Sequence, residues 1–146
     1  MFNFIKNFES KTKSKNDNNN ELLTKTASLL IHAAKIDENF SKQEEEIIKQ
    51  TLLKIGANNQ NIQNIIKEGK TIEENANQIL DFTREVKNMD EKNKIKIVET
   101  LWQIIYSNKQ ADMYETNLMR RLAGLLYIDN KVMGDIKEKI KKEKSQ

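Results

Sequence analysis

The chain has 146 residues, which fits one domain, and it contains no Cys, so disulfides and thiolate metal sites are excluded. A single His excludes multi-histidine metal centres within one chain and most nucleophile–histidine schemes. Charged residues make up 32% of the chain and hydrophobic residues 37%. No apolar run approaches the roughly 18 residues of a membrane span, so we expect a small soluble protein.

The net charge of +3 comes from the two ends of the chain. Residues 1–20 and 129–146 each carry more Lys than acidic residues, whereas the long middle segment is close to neutral. Lys outnumbers Arg by 22 to 3, although nucleic-acid-binding proteins usually rely on Arg and on aromatic platforms. We therefore expect no nucleic-acid partner.

Residues 1–20 are predicted to form a short amphipathic tip and a flexible polar linker outside the folded domain. The apolar side chains of the tip are Phe2, Phe4, Ile5 and Phe8. One interpretation is weak, reversible contact with a membrane surface or a partner, and the other is a terminus that frays or folds back on the domain. The tip is too short for a secretory signal, so we expect a cytoplasmic protein, with peripheral membrane contact under the first interpretation.

From residue 21 onward the apolar residues recur with a helical period, and no segment alternates for long enough to be a strand. The pattern predicts helices over about 21–36, 42–55, 58–68, 71–87, 91–106, 112–126 and 130–143. Gly56 and Gly69 are predicted to end the second and third helices, and Thr71 with Glu74 to begin the fourth as a capping box. Residues 21–146 are thus predicted to be one all-α domain, a compact bundle of about seven helices.

A shift of 71 residues aligns the chain with itself. Leu30–Asp37 then lies over Leu101–Asn108, and Glu44 lies over Glu115. Each copy is an apolar helix, a turn with an Asp or Asn, and a second helix with a Glu in its first turn. The repeat predicts two similar helical hairpins related by a pseudo-twofold axis.

If the two turns meet, Asp37, Glu44, Asn108 and Glu115 would form an acidic corner rich in oxygen ligands. Calcium and magnesium prefer such ligands, so the corner is a candidate divalent-cation site. The other interpretation is structural, because a Glu in the first turn caps the helix and favours its dipole. Both interpretations stay open.

The remaining reactive or charged residues suggest no catalytic constellation. His32 lies among apolar residues, where a packed histidine is commoner than a catalytic one, and it is the one candidate acid–base group at neutral pH. Trp102 and Tyr106 form an i, i+4 aromatic pair typical of a core. Arg120-Arg121 would either hold an anionic partner or lie on a solvated face. We expect a non-enzyme.

The segment Ala34-Lys-Ile-Asp37-Glu-Asn-Phe-Ser-Lys-Gln-Glu44 resembles the TerB-like family, which typically shows Ala-x-Ala-Asp-Gly, five residues, then Glu. The second copy, from Leu101-Trp102 through Glu115 to Arg120-Arg121, is similar to the Leu-Trp, Tyr-Ala-Asp-Gly, Tyr-Glu and Ile-Arg-Arg order of that family. The resemblance covers about residues 21–142. The family is known from tellurite-resistance proteins and from the N-terminal module of a membrane-anchored DnaJ-type co-chaperone.

The resemblance implies an all-helical bundle, a non-catalytic role in a stress response as an adaptor, and an acidic surface suspected of metal binding. This chain departs from the family pattern at Glu38, which replaces a turn Gly, and at Asn108 and Lys109, which replace Asp-Gly. A Lys at the second turn opposes a cation there. A metal site would therefore be one weak locus around Asp37 and Glu44.

Two functional hypotheses follow. The first is a TerB-like adaptor that binds a protein partner, with contacts from four charged residues near the acidic corner: Glu38, Asp112, Arg120 and Arg121. The second is a divalent-cation sensor that uses the acidic corner. An enzyme would require a cleft around His32.

Overall fold

The computed structural model describes residues 20–36, 41–76, 78–107 and 113–144, with side chains from Thr116 onward in the last range. Within these ranges the chain forms seven helices and no strand, which confirms the all-α prediction. They are α1 (20–35), α2 (Lys42–Lys54), α3 (Ile62–Asn75), α4 (Leu80–Val86), α5 (Glu91–Tyr106), α6 (Met113–Leu125) and α7 (Asn130–Lys144). The predicted tip and linker lie outside the described residues, apart from Asn20.

Helices α1 and α5 form the centre of the bundle. Most of their residues are buried around the whole helix circumference, including Leu29, Leu30 and Ile31 in α1 and Leu101, Ile104 and Ile105 in α5. A helix that is apolar all round must be covered on every side. The other helices supply that cover, and the two central helices are the equivalent members of the sequence repeat.

The hydroxyl groups of the buried polar residues in α1 form hydrogen bonds with nearby backbone carbonyl oxygens. Thr26 donates to the Leu22 carbonyl at 2.8 Å, and Ser28 Oγ lies 3.0 Å from both the Thr24 and the Gly69 carbonyl oxygens. Such local bonds allow a Thr or Ser to be buried in a helix without an unsatisfied group.

Helices α1 and α3 pack in parallel with a constant sequence offset. Asn61 Nδ2 lies 3.5 Å from Asn20 Oδ1, Ser28 Oγ bonds the Gly69 carbonyl, and His32 contacts Glu73. A Cβ added to Gly69 would lie 2.8 Å from Ala27 Cβ and 3.3 Å from the Ser28 backbone nitrogen. Gly69 is therefore required by the close approach of the two helices.

This packing overturns two of the predicted helix boundaries. The predicted helix end at Gly69 is wrong, because α3 continues to Asn75 and Gly69 is buried within it. The predicted start at Thr71 is wrong as well, since its hydroxyl donates to the Lys67 carbonyl inside α3. The predicted helix over 71–87 is instead the end of α3 and the short α4.

The start of α3 also differs from the prediction, since the helix begins at Ile62 and not at about 58. Three other helix ends agree with the prediction. Ser41 and Glu44 form the capping box of α2, Asp90 caps α5 through the Asn93 backbone N–H, and Gly56 has a positive φ of 134° after α2. Helix α6 ends at Leu125, close to the predicted 126, but the conformation that follows it differs from the expectation. Tyr127 takes the left-handed conformation there, with φ 57° and 69% of its surface exposed.

The contacts between the halves fit the twofold repeat. Helix α2 packs on α5, where the hydroxyls of Thr51 and Thr100 hydrogen-bond. Leu118 and Arg121 of α6 line one cleft with His32 of α1. The packing of α2 on α5 thus places the second helix of the first repeat against the central helix of the second, and in the other half α6 shares a cleft with α1.

None of the helices within the described ranges has the length and apolar character required to cross a bilayer.

The close approach at Gly69 predicts how glycine substitutions change stability. Gly69→Ala should lower the free energy of unfolding by about 1–3 kcal/mol, because the neighbouring Ala27 cannot move its Cβ away independently. Gly124→Ala and Gly134→Ala should raise it by about 0.5–1 kcal/mol each, since their added Cβ atoms meet nothing within 4 Å. Urea denaturation checks all three variants. A Gly69→Ala protein as stable as the wild type would contradict the close packing of α1 on α3.

Candidate functional site

Of the four residues predicted to form the acidic corner, the structure describes the side chain of one, Glu44. Asp37, Glu38, Asn108 and Asp112 lie outside the described residues. Glu115 lies in α6, and its side chain is outside the described part. Whether the two turns meet therefore stays a prediction.

Glu44 is the described member of the corner, and it is 3% exposed. Its Oε1 accepts hydrogen bonds of 3.0 Å from the Ser41 backbone N–H and from the Ser41 hydroxyl. Its backbone N–H donates to Ser41 Oγ at 3.1 Å, which completes the capping box. Its Oε2 is buried and has no hydrogen-bond partner among the described residues. Capping explains one carboxylate oxygen, and the other has no partner in the described ranges. A buried acceptor without a partner is costly, so this second oxygen calls for a donor or a cation.

No group of three or more His, Asp or Glu side chains in the described ranges is arranged to hold a metal ion. A cation at this corner would need Glu44 together with ligands from the segments 37–40 and 108–115.

A second polar cluster lies where α1 and α3 meet. Glu73, whose side chain is 11% exposed, receives a hydrogen bond of 2.8 Å from the Lys35 ammonium at Oε2. Its Oε1 lies 3.3 Å from His32 Nδ1. The His32 ring also packs against Phe82 of α4, with ring centroids 5.6 Å apart. His32 is thus half-buried and oriented by a carboxylate.

This cluster forms one wall of a cleft of about 340 Å³. Its described lining residues are His32, Glu73, Ala76, Gln78, Ile79, Phe82, Leu118 and Arg121. No hydroxyl or thiol nucleophile is among them. The cleft can offer an imidazole, a carboxylate and a guanidinium to a bound group.

The two arginines of α6 are exposed and face different cavities. Arg121 lines the cleft with His32, and Arg120 lines a groove between α6 and α7. Neither arginine forms an ion pair with any residue that the structure describes. Two guanidinium groups on one helix, without a counter-charge among the described residues, are well suited to bind carboxylates of a partner.

The aromatic pair of α5 is part of the core, as predicted. Trp102 and Tyr106 are buried, with stacked rings 5.8 Å apart. The indole N–H of Trp102 is buried and unpartnered in the described part of the chain. Trp102 also lines the groove that contains Arg120.

A protein-family model described as Tellurite resistance protein TerB matches residues 23–138. The chain belongs to the TerB family. No curated protein and no solved structure matches it. The family match confirms the resemblance and covers both halves of the repeat, including α6 with its two arginines.

The role of Glu73 in this TerB-family chain does not follow from the local sequence. A helix that begins at Thr71 would place Glu73 in its first turn, away from α1. The missed signal is the spacing of Ile62, Ile66, Gly69 and Glu73, which lie on one face of an uninterrupted helix.

Glu73 is predicted to contribute to stability through its two partners. Glu73→Gln should lower the free energy of unfolding by about 1–2 kcal/mol, because it removes a mostly buried charge that holds Lys35 and His32. The neighbouring exposed Glu74→Gln is the matched control and should change it by less than about 0.5 kcal/mol. Thermal or urea unfolding measures both. Equal effects of the two variants would show that the cluster contributes nothing.

Proposed function

We propose that this TerB-family chain is a non-catalytic module that binds a protein partner through α6. The observation that carries the proposal is the pair Arg120 and Arg121, which are exposed, have no counter-charge among the described residues and line two separate cavities. Guanidinium groups in such a position favour bidentate binding of carboxylates.

The proposed partner context is a bacterial stress response of the tellurite-resistance type, in the cytoplasm, with the chain as an adaptor. The family description supports the link to tellurite resistance. We further propose that the residues Glu38 and Asp112 contribute to partner contacts next to α6. The apolar side chains of the N-terminal tip would add weak contact with the inner membrane.

The proposal predicts that partner binding depends on the two arginines. Tagged wild-type chain, expressed in its own host, should retain a specific protein that the double variant Arg120→Glu, Arg121→Glu loses. The control is Lys141→Glu, Lys144→Glu, which makes the same charge change at exposed positions near the end of α7. Quantitative mass spectrometry of the retained proteins compares the three.

The wild type and the lysine variant should both retain the partner, and the arginine variant should retain at least tenfold less of it. A tenfold loss of affinity corresponds to about 1.4 kcal/mol of binding free energy. Equal retention by all three would show that α6 does not carry the interaction.

A second candidate function, favoured by Glu44, is the binding of a divalent cation at the acidic corner. The buried Oε2 of Glu44 is an acceptor without a hydrogen-bond donor among the described residues. Calcium or magnesium would satisfy it together with Asp37, Asn108 and Glu115. At 100 times its dissociation constant a cation adds about 2.7 kcal/mol, or several degrees in the melting temperature.

The test is thermal melting with EDTA, calcium or magnesium. Wild-type chain should melt several degrees higher with one of the cations, and Glu44→Gln should abolish the rise because the amide keeps a capping oxygen and removes the charge. Glu46→Gln, which removes an exposed carboxylate of the same helix, should keep the rise. If no cation changes the wild-type midpoint, Glu44 serves as a cap.

A further inference from the structure

The groove between α6 and α7 has an apolar floor and a polar rim. It measures about 310 Å³ and is lined by side chains from α5, α6 and α7: Trp102, Thr116, Met119, Arg120, Ala123, Asn130, Met133, Gly134 and Lys137. Two methionines and an indole form much of the floor. Methionine side chains adapt to different apolar partners, and Trp is frequent among residues that dominate binding energy.

The charged side chains that line the groove in the described part of the chain are both positive. Arg120 and Lys137 stand on its two sides, and the Lys137 ammonium lies 5.5 Å from the centre of the Trp102 ring. The whole of α7 carries six Lys against three acidic residues. An occupant of the groove is therefore expected to be acidic, because complementary charge favours association and like charge opposes it.

Gly134 lies on the wall of the groove, and no contact among the described residues requires a glycine there. Its added Cβ would meet nothing within 4 Å, and its φ is not positive. A glycine inside a helix costs about 1 kcal/mol relative to Ala. Gly69 of the same chain permits the close approach of a second helix. Gly134 would permit a similar approach by a helix that lies in the groove.

One residue that lines the groove has a buried donor with no partner in the described part of the chain. Trp102 is 3% exposed, and its indole N–H has no hydrogen-bond partner among the described residues. Buried polar groups in folded proteins are nearly always satisfied. An occupant that displaces the Lys137 ammonium from the Trp102 ring would bring its own polar groups close to the indole.

We infer that the groove between α6 and α7 binds an acidic amphipathic helix of a protein partner, which crosses α7 at Gly134. Apolar side chains of that helix pack on Trp102, Met119 and Met133, and its carboxylates pair with Arg120 and Lys137. The inference rests on the proposed function and specifies the chemistry of the partner and its place on α6.

The chain has one Trp, so its indole N–H signal in an NMR spectrum reports directly on the groove. The probe is a synthetic helical peptide with Leu at positions i, i+3, i+4 and i+7 and Glu elsewhere. The matched peptide has Lys in place of every Glu. The Glu peptide should shift the indole signal of the full-length chain, and the Lys peptide should bind at least about tenfold more weakly.

Two glycine variants test the crossing point. Gly134→Gln should weaken binding of the Glu peptide at least about tenfold by filling the groove, whereas Gly124→Gln should change it less than about twofold. Gly124 is equally free of neighbouring atoms, but it does not line the groove. Both variants should remain folded, because neither new side chain meets the protein interior.

Four results would overturn the inference. The first is equal binding of the two peptides, and the second is equal effects of the two glycine variants. The third is a short DNA duplex that shifts the indole signal as the Glu peptide does. The fourth is an indole shift in full-length Phe2→Ser, Phe4→Ser, Phe8→Ser without any peptide, which would make the tip of the chain the occupant of the groove.

The failure of this inference can be distinguished from the failure of the proposed function. If the arginine variant loses its cellular partner while the Glu peptide leaves the indole signal unchanged, α6 binds a protein outside the groove, and this inference alone is wrong.

Discussion

The fold depends on the requirement that α1 and α5 be covered on all sides. On one side α1 is covered by α3, which approaches it closely. The approach is possible because Gly69 has no side chain to separate α3 from Ala27 and Ser28. The parallel register set by this contact also determines the polar cluster. His32 and Glu73 each lie four residues after the contact between Ser28 and Gly69. The packing that buries α1 therefore also positions the wall of the cleft.

The sequence predicts well whatever is local. Ser41 with Glu44, Asp90 and Gly56 lie at helix ends that their neighbours in the chain determine, and the period of apolar residues predicts the all-α class. Gly69 was misjudged because a glycine at a helix end and a glycine at a helix contact look the same in the sequence. Tyr127 escaped prediction because nothing in its side chain favours a left-handed conformation. The pair His32 and Glu73 escaped because it depends on the register of α1 against α3.

The candidate binding features converge on α6. This helix packs against α4 and α7, and its arginines face cavities on two sides. The sequence identified Arg120 and Arg121 as charged residues, but only the fold separates them between a cleft with His32 and a groove with Trp102. Family membership is consistent with this picture, because the matched segment contains the whole of α6 and most of α7.

The central claim is that a partner binds the α6 face, and the methionines of the chain test it most directly. Met119 and Met133 lie in the groove, whereas Met89 lies in a pocket with residues of α1 and the α2 end. Methyl NMR of the full-length chain with the protein recovered from its host should shift the signals of Met119 and Met133 and leave that of Met89 unchanged. A shift of Met89 alone, with the two groove methionines unaffected, would contradict the account.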